Sequence, residues 1–311
     1  MKSNVKHETG FHSPWQRAQD RLFTVFMWVF LVLMFIVTTY PFWHVVMVSI
    51  SDPTNVITGF QLLPNGISFQ AYMAVFTNSS FLNALWISLV RSTIGPIISG
   101  VITMMIAYGL SQRELPGRRI LNWYFLFTMY FGAGLIPTYL LFQSLGFVGS
   151  FWVYVIPTIV NVFGMILMRT YIENLPAELR ESALIDGAND LTIFLKIVVP
   201  LCKPVIAAVT LFAVVAQWNA YSDTVIYNSM HEHLHTLQYF LVRMVDNVAG
   251  GSSDAAVQLA MQAGAQGGQA RLTPQVVRMA VTVVTIVPIA CVYPFMQRYF
   301  VKGMMVGSVK G

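Results

Sequence analysis

An all-α membrane protein with six transmembrane helices is the fold that this sequence predicts, on three observations. Hydrophobic residues make up 56% of the 311-residue chain and charged residues only 10%, where a soluble globular protein carries about 25% charged residues. Six apolar runs reach spanning length, each needing about 20 residues. Between the fourth and fifth lies one long polar stretch, 174–203, whose apolar residues recur at helical spacing.

Taken in order, residues 1–21 form a polar, basic segment with Lys2, Lys6, Arg17 and Arg21, and residues 22–311 form the transmembrane domain. The first span covers about 22–50; it is of spanning length and has no small-residue cleavage site after it, so it reads as a retained span and not a signal peptide. Residues 51–80 contain no Lys or Arg, and Pro53, Asn55, Pro64, Asn65 and Gly66 supply turn signals, so they read as a loop. Span two covers about 82–110 and is followed by Arg113, Arg118 and Arg119. Span three covers about 120–142, where Gly132, Gly134 and Pro137 loosen the helix or admit a close neighbour. Span four covers about 151–171, with Arg169 at its end. A polar loop, 174–198, leads into span five at about 199–218; a long loop, 219–273, leads into span six at about 276–296.

Lys and Arg gather at the N-terminus, after span two, around 169–203 and in the tail with Arg298, Lys302 and Lys310. The positive-inside rule then places both termini and the 174–198 loop in the cytoplasm, and the 219–273 loop in the periplasm. The net charge of +5 belongs to these helix ends and is no nucleic-acid footprint. Cys202 and Cys291 fall in or beside apolar spans, which argues against a disulfide framework.

The 174–203 stretch has internal punctuation. Pro176 suits a first helical turn, and Glu178 and Glu181 favour the N-terminal half of a helix. Leu175, Leu179 and Ala183 share one face. Gly187 stops the helix, because glycine accepts the left-handed cap. Asn189 or Asp190 caps a second helix, whose expected apolar face is Leu191, Phe194, Leu195 and Val198, with Pro200 at its junction with span five.

The same residues carry a resemblance. Glu181, Ser182, Ala183, Gly187, Ile197, Val199 and Pro200 resemble the EAA loop of ABC importer permeases: Glu-Ala-Ala, three residues, Gly, nine residues, Ile, any residue, Leu, Pro. Every spacing is met, and Ser182 and Val199 are the two departures. The stretches NALWISLVRST, AYGLS, FGAGLIPTYLL, QWNAYSD and the tail YPFMQRYFVKGMMVGSVKG are similar to the oligosaccharide and polysaccharide branch of that family, near the smaller maltose-transporter permease. The resemblance covers nearly the whole chain from span one; the Gly-, Ala-, Gln- and Ser-rich segment 246–273 departs from it as an insertion.

The resemblance implies the type I ABC importer fold in the bacterial inner membrane. It implies that Glu178, Glu181, Ser182, Ala183, Asp186, Gly187 and Ala188 form a coupling helix seated in a groove of an ATPase subunit. The implied partners are a second homologous permease, two ATP-binding cassette subunits that hold ATP and Mg, a periplasmic or lipid-anchored solute-binding protein, and an oligosaccharide or polysaccharide, with neutral and uronate-type chains both open. No nucleic acid and no cofactor of this chain's own are expected.

Chemistry elsewhere is sparse. No phosphate-binding GxxxxGK[ST] motif occurs, so ATP hydrolysis is assigned to a partner. No nucleophile elbow surrounds any Ser, and no catalytic residue is assigned. His231, His233 and His235 alternate in HEHLH, a spacing that is weak evidence for a metal site and reads as polar surface. Asn161, Trp218, Asn219 and Tyr221 are the candidate substrate-pathway residues: aromatic rings stack on sugar faces, and amides and phenols bond hydroxyls. For the residues after span five the alternative is an interfacial aromatic belt, and for Asn161 it is packing between helices. Arg91 is read as snorkelling to the membrane surface, without a transport role. The rival reading, a stand-alone secondary transporter or channel for a small polar solute, calls for ionisable groups inside the spans, and the apolar runs hold almost none. The 219–273 loop, whose 255–263 segment has helix-favouring composition, is expected to dip towards the path or touch the docked binding protein; the alternative is a floppy insertion without a role.

Overall fold

The computed structural model describes residues 14–52, 59–246 and 272–308. Residues 1–13 and most of the 246–273 insertion, with the helix expected at 255–263, lie outside them. All regular structure among the described residues is helical. The elements are α1 (Pro14–Ser49), α2 (Gln70–Thr77), α3 (Ser79–Ser111), α4 (Arg118–Tyr130), α5 (Leu135–Ser144), two 3-10 turns (Phe151–Tyr154 and Ile156–Thr158) and α6 (Val162–Glu173). They continue with α7 (Ala177–Ile185), α8 (Asp190–Leu201), α9 (Lys203–Asn219), α10 (Ser222–Tyr227), a 3-10 turn (Glu232–Leu234), α11 (Leu237–Asp246) and α12 (Pro274–Ser308).

Gln19–Ser49 of α1, α3, and Pro274–Pro294 of α12 are each long and apolar enough to cross a membrane unbroken. The other three apolar runs are bent: α4 meets α5 at 111°, the 3-10 turns meet α6 at 40°, and α8 meets α9 at 77°. The sequence expects a loosened helix over 120–142, and the chain divides there into two. Gly134 takes φ 88° and ψ 170° at the break, a conformation closed to residues with a Cβ, and Pro137 in the next turn has no N–H to give. Residues 51–80 and 219–246, read as loops, hold α2, α10 and α11.

α3 is the axis of the bundle, packed along α9 and α6. One core cluster joins Val48, Val75, Phe81, Trp218, Leu237, Met244 and the start of α12 from Val276 to Val281. A second, towards the 174–198 end, joins Met104 and Ala107 of α3, Met165 and Met168 of α6, Ala183 of α7, Ile193, Phe194 and Val198 of α8, and Cys202. Most of α1 is exposed, with Val48 and Ser49 buried at its C-terminal end, and it leans on α12; its exposed Phe23, Phe26, Trp28 and Phe35 suit contact with lipid.

Small residues set how closely the axis helices approach. A Cβ added at Gly164 of α6 meets Val209 Cγ1 of α9 at 2.4 Å, and one added at Gly100 of α3 meets Thr210 Oγ1 at 2.7 Å. Gly109, near the end of α3, has open space around it. Gly164→Val is therefore expected to destabilise the chain by about 1–3 kcal/mol, as overpacked cores do, and Gly109→Ala to leave it unchanged or slightly more stable. Thermal unfolding of the two variants in detergent checks this, and equal midpoints for both refute it.

Candidate functional site

A buried polar cluster sits where α3, α9 and α10 meet. Arg91 of α3 is 1% exposed, and all five of its N–H groups are engaged. Nε donates to Gln217 Oε1 at 3.0 Å; Nη2 donates to the same oxygen at 2.7 Å and to Asp223 Oδ2 at 2.5 Å; Nη1 donates to Asp223 Oδ1 at 3.2 Å and to the Ala220 carbonyl at 3.3 Å. Its guanidinium carbon lies 4.3 Å from the centre of the Tyr154 ring. The planar fork of arginine fits this two-oxygen pairing, which lysine cannot copy.

The neighbours are satisfied in turn. Gln217 Nε2 donates to the Tyr154 carbonyl at 2.9 Å and to Thr158 Oγ1 at 2.8 Å. The Tyr154 hydroxyl donates to the Leu234 carbonyl at 2.8 Å and lies 3.1 Å from Thr224 Oγ1, which lies 3.1 Å from Thr236 Oγ1. Ser88 Oγ accepts from the Leu237 amide at 2.7 Å. The network thus ties α3, both 3-10 turns, α9, α10 and α11 into one block.

Beside it lies a cavity of about 360 Å³, lined by Arg91, Ser99, Asn161, Gln217 and Asp223 among smaller apolar residues. Of the four pathway residues read from sequence, Asn161 reaches it. The Asn161 side chain also caps its own helix, α6, its Oδ1 accepting from the Gly164 amide at 2.8 Å. Trp218 is corrected: it is 5% exposed, gives its indole N–H to the Thr285 carbonyl at 3.1 Å, and packs on α12. One step along a helix is about 100° of rotation, so where Gln217 faces the cavity Trp218 faces away. Asn219, the last residue of α9, and Tyr221 just past it are exposed and do not line the cavity. Arg91 is corrected too, since it is buried and paired where snorkelling was expected. A lone arginine in an apolar run, with Asp223 just past a later run, was the available signal.

The other candidate surface lies at the far end of α8. Pro176 is the residue before α7 and not part of its first turn. α7 closes with Gly187 at φ 78°; the Ala188 amide donates to the Ala183 carbonyl at 2.9 Å and the Gly187 amide to the Leu184 carbonyl at 3.0 Å. This pair of bonds is a Schellman cap. Asn189 then caps α8, its Oδ1 accepting from the Thr192 amide at 2.8 Å. Ala183 is buried and seats α7 on the core, while Glu178, Glu181, Ser182, Asp186, Leu184 and Ile185 are exposed. Arg180 pins the pair of helices, 3.3 Å from Glu114 and 3.6 Å from Asp190. Glu173 pairs with Arg118 and Arg169 beneath them.

The apolar face expected on α8 is also corrected. Ile193, Phe194 and Val198 are buried, whereas Leu191 and Leu195 are 62% and 55% exposed. Phe194–Val198 is a π turn in which the Val199 amide reaches back to the Phe194 carbonyl, and the extra residue per turn puts Ile193 and Val198 on one side. His231 and His233 stand edge to face at 6.0 Å, and His235 Nε2 is 3.0 Å from the Ser229 carbonyl. Among the described residues no group of three His, Cys, Asp or Glu side chains is placed to hold a metal.

The chain is similar to known proteins in sequence and fold. The family described as binding-protein-dependent transport system inner membrane component matches residues 117–229. The polygalacturonan/rhamnogalacturonan transport system permease protein YtcP of Bacillus subtilis (strain 168) is 36% identical over 94% of this chain and 100% of its own length. A solved chain of a bacterial ABC transporter involved in the import of the acidic polysaccharide alginate is 30% identical, with a TM-score of 0.81, over 94% of this chain and 100% of that one. A chain from a bacterial alginate ABC transporter in complex with an alginate pentasaccharide-bound periplasmic protein shares the fold at 14% identity and a TM-score of 0.55, over 92% of this chain and 96% of that one.

The Arg91 network makes a thermodynamic prediction. Arg91→Met leaves the partly buried Asp223 carboxylate without its cation and is expected to destabilise the chain by about 2–3 kcal/mol. Arg91→Met combined with Asp223→Asn is expected to lose less than the sum of the single variants, by about 1 kcal/mol or more. A double-mutant cycle on unfolding in detergent measures the difference; strict additivity contradicts the pairing.

Proposed function

The chain belongs to the family of binding-protein-dependent transport system inner membrane components, and from that premise we propose that it is the permease subunit of an ATP-driven saccharide importer. Its helices cross the membrane several times. The observation that carries the reading is the continuity of two surfaces: the Schellman-capped α7 and the start of α8 present exposed groups at one end, and α8 runs into α9, whose Gln217 lines the cavity. The names of its relatives support a saccharide cargo: one is a polygalacturonan/rhamnogalacturonan permease and one an alginate importer chain.

In this reading both termini and α7 lie in the cytoplasm. Two ATP-binding cassette subunits hold ATP and Mg, this chain has no ATPase site of its own, and a second, homologous permease completes the path. A solute-binding protein delivers the sugar to the opposite face. Glu178, Glu181, Ser182, Ala183, Asp186, Gly187 and Ala188 form the contact with the ATPase. Leu184 and Ile185, 44% and 86% exposed, add an apolar knob to it. Ala183 on the core side and the ion pairs of Arg180 make α7 and α8 move together, so a displacement of α7 reaches α9. Asn161 belongs to the path, with Asn219 and Tyr221 at its outer end. The 219–273 loop contacts the docked binding protein; its middle lies outside the described residues.

Two outcomes test this reading. Gly187→Val forces a β-branched residue into the left-handed region, a strain of about 1–3 kcal/mol. The assembled complex is expected to bind its solute-binding protein yet lose substrate-stimulated ATPase and transport; normal transport counts against coupling through this turn. For topology, a single cysteine at position 182, with Cys202 and Cys291 replaced, is expected to react with an impermeant maleimide only from the cytoplasmic side. Labelling from outside in intact spheroplasts reverses the orientation.

A further inference from the structure

The cavity beside Arg91 holds one cation and one anion, and they cancel. The arginine has five N–H donors, and each is taken by Gln217, Asp223 or the Ala220 carbonyl. None is left for a carboxylate on a ligand. Asp223 accepts two bonds from Arg91 and one from the Thr224 amide at 2.9 Å, with its side chain 22% exposed. Of about four lone-pair positions on a carboxylate, one remains, and it suits a hydroxyl donor.

Two further groups at the cavity are uncommitted. The Asn161 side-chain oxygen is used in capping, but its amide N–H groups have no partner among the described residues. The Ser99 hydroxyl, on the α3 wall, likewise has none. Pro96, Val160, Ala213 and Ala216 supply an apolar wall. Neutral donors, one acceptor carrying negative charge and an apolar wall match a sugar ring, with hydroxyls at its edge and C–H groups on its face. They oppose an anion, which meets the Asp223 carboxylate and finds no free cation.

We propose that this cavity is a subsite for the uncharged, hydroxyl-bearing part of a saccharide, contacted by Asp223, Asn161 and Ser99, with Arg91 as the positioning residue that fixes Asp223. The inference rests on the reading of the chain as a saccharide permease and deepens it. Where the cargo is a uronate polymer, its carboxylates point away from this subunit and towards cations supplied by another chain.

The test uses the whole complex reconstituted in vesicles, with two oligosaccharides of equal length, one of a neutral hexose and one of the corresponding uronate. Asn161→Ser keeps an oxygen to cap α6 and removes the amide donor. It and Ser99→Ala are each expected to raise KM for the neutral probe about fivefold, the size of one lost hydrogen bond, in complexes that assemble at the wild-type subunit ratio. Asp223→Asn leaves the Arg91 charge uncancelled and is expected to shift the ratio of kcat/KM values about tenfold towards the uronate probe. Ala216→Lys, which adds a cation to the wall without touching the network, is expected to shift it the same way. An unchanged KM for the neutral probe in both Asn161→Ser and Ser99→Ala overturns the subsite. Loss of uronate uptake alone in Arg91→Gln, with neutral uptake intact, overturns the positioning role and makes Arg91 a carboxylate ligand. If an assembled complex carries neither probe although its binding protein holds them, saccharide transport itself is the reading that fails.

Discussion

A guanidinium without access to water is the constraint around which this chain is built. An arginine at the centre of a membrane helix is unfavourable by about 2.5–3.5 kcal/mol on insertion scales, and it is tolerated when every N–H has an acceptor. Arg91 obtains its acceptors from Gln217, Asp223 and the Ala220 carbonyl, all C-terminal to it by more than a hundred residues. The end of α9 and the start of α10 must therefore close on α3 before the charge is satisfied. Gln217 in turn holds the 3-10 turns through the Tyr154 carbonyl and Thr158, and Tyr154 holds the segment before α11. Removing the arginine would leave Gln217 Oε1, the Asp223 carboxylate and the Ala220 carbonyl without their shared donor.

Around that block the backbone follows a second rule. Peptide groups in hydrocarbon need internal partners, so irregular backbone is confined to places covered by protein or water. The break before α6 lies against the cavity and is bonded to α3, with the Asn161 backbone N–H donating to Thr103 Oγ1 at 3.2 Å. The bend between α8 and α9 falls at Cys202, whose amide still reaches the Val198 carbonyl at 2.8 Å, and Pro204 just beyond has no amide to satisfy. Glycine works differently in the two halves. Gly100 and Gly164 matter for the absence of a side chain between helices, whereas Gly187 matters for its dihedral angle, with open space around it.

Local punctuation was readable in the sequence, and long-range partnership was not. Gly187, Asn189 and the acidic start of α7 sit where the pattern 174–203 places them, because caps and turns are decided by a few neighbouring residues. The long apolar runs were legible from length and composition. The pairing of Arg91 with Asp223 was not, because 132 positions separate the two residues and no periodicity links them. Trp218 was misread because an aromatic residue at the end of a span looks alike whether it faces a cavity, lipid or another helix; only the rotation of α9, fixed by Gln217, decides. The face of α8 was misread by assuming 3.6 residues per turn through a segment that widens to a π turn.

That π turn, Phe194–Val198, separates two demands on a single helix. A uniform helix locks the phase of its two halves together, so a residue inserted at one end rotates every side chain at the other. A turn that already accommodates a surplus residue absorbs the offset locally. The half of α8 that follows the Asn189 cap and exposes Leu191 can then change its phase while Val198 and Cys202 keep their places in the core. In evolutionary terms the joint makes the exposed end and the buried end of this helix separately variable, so that one can change without the other being repacked.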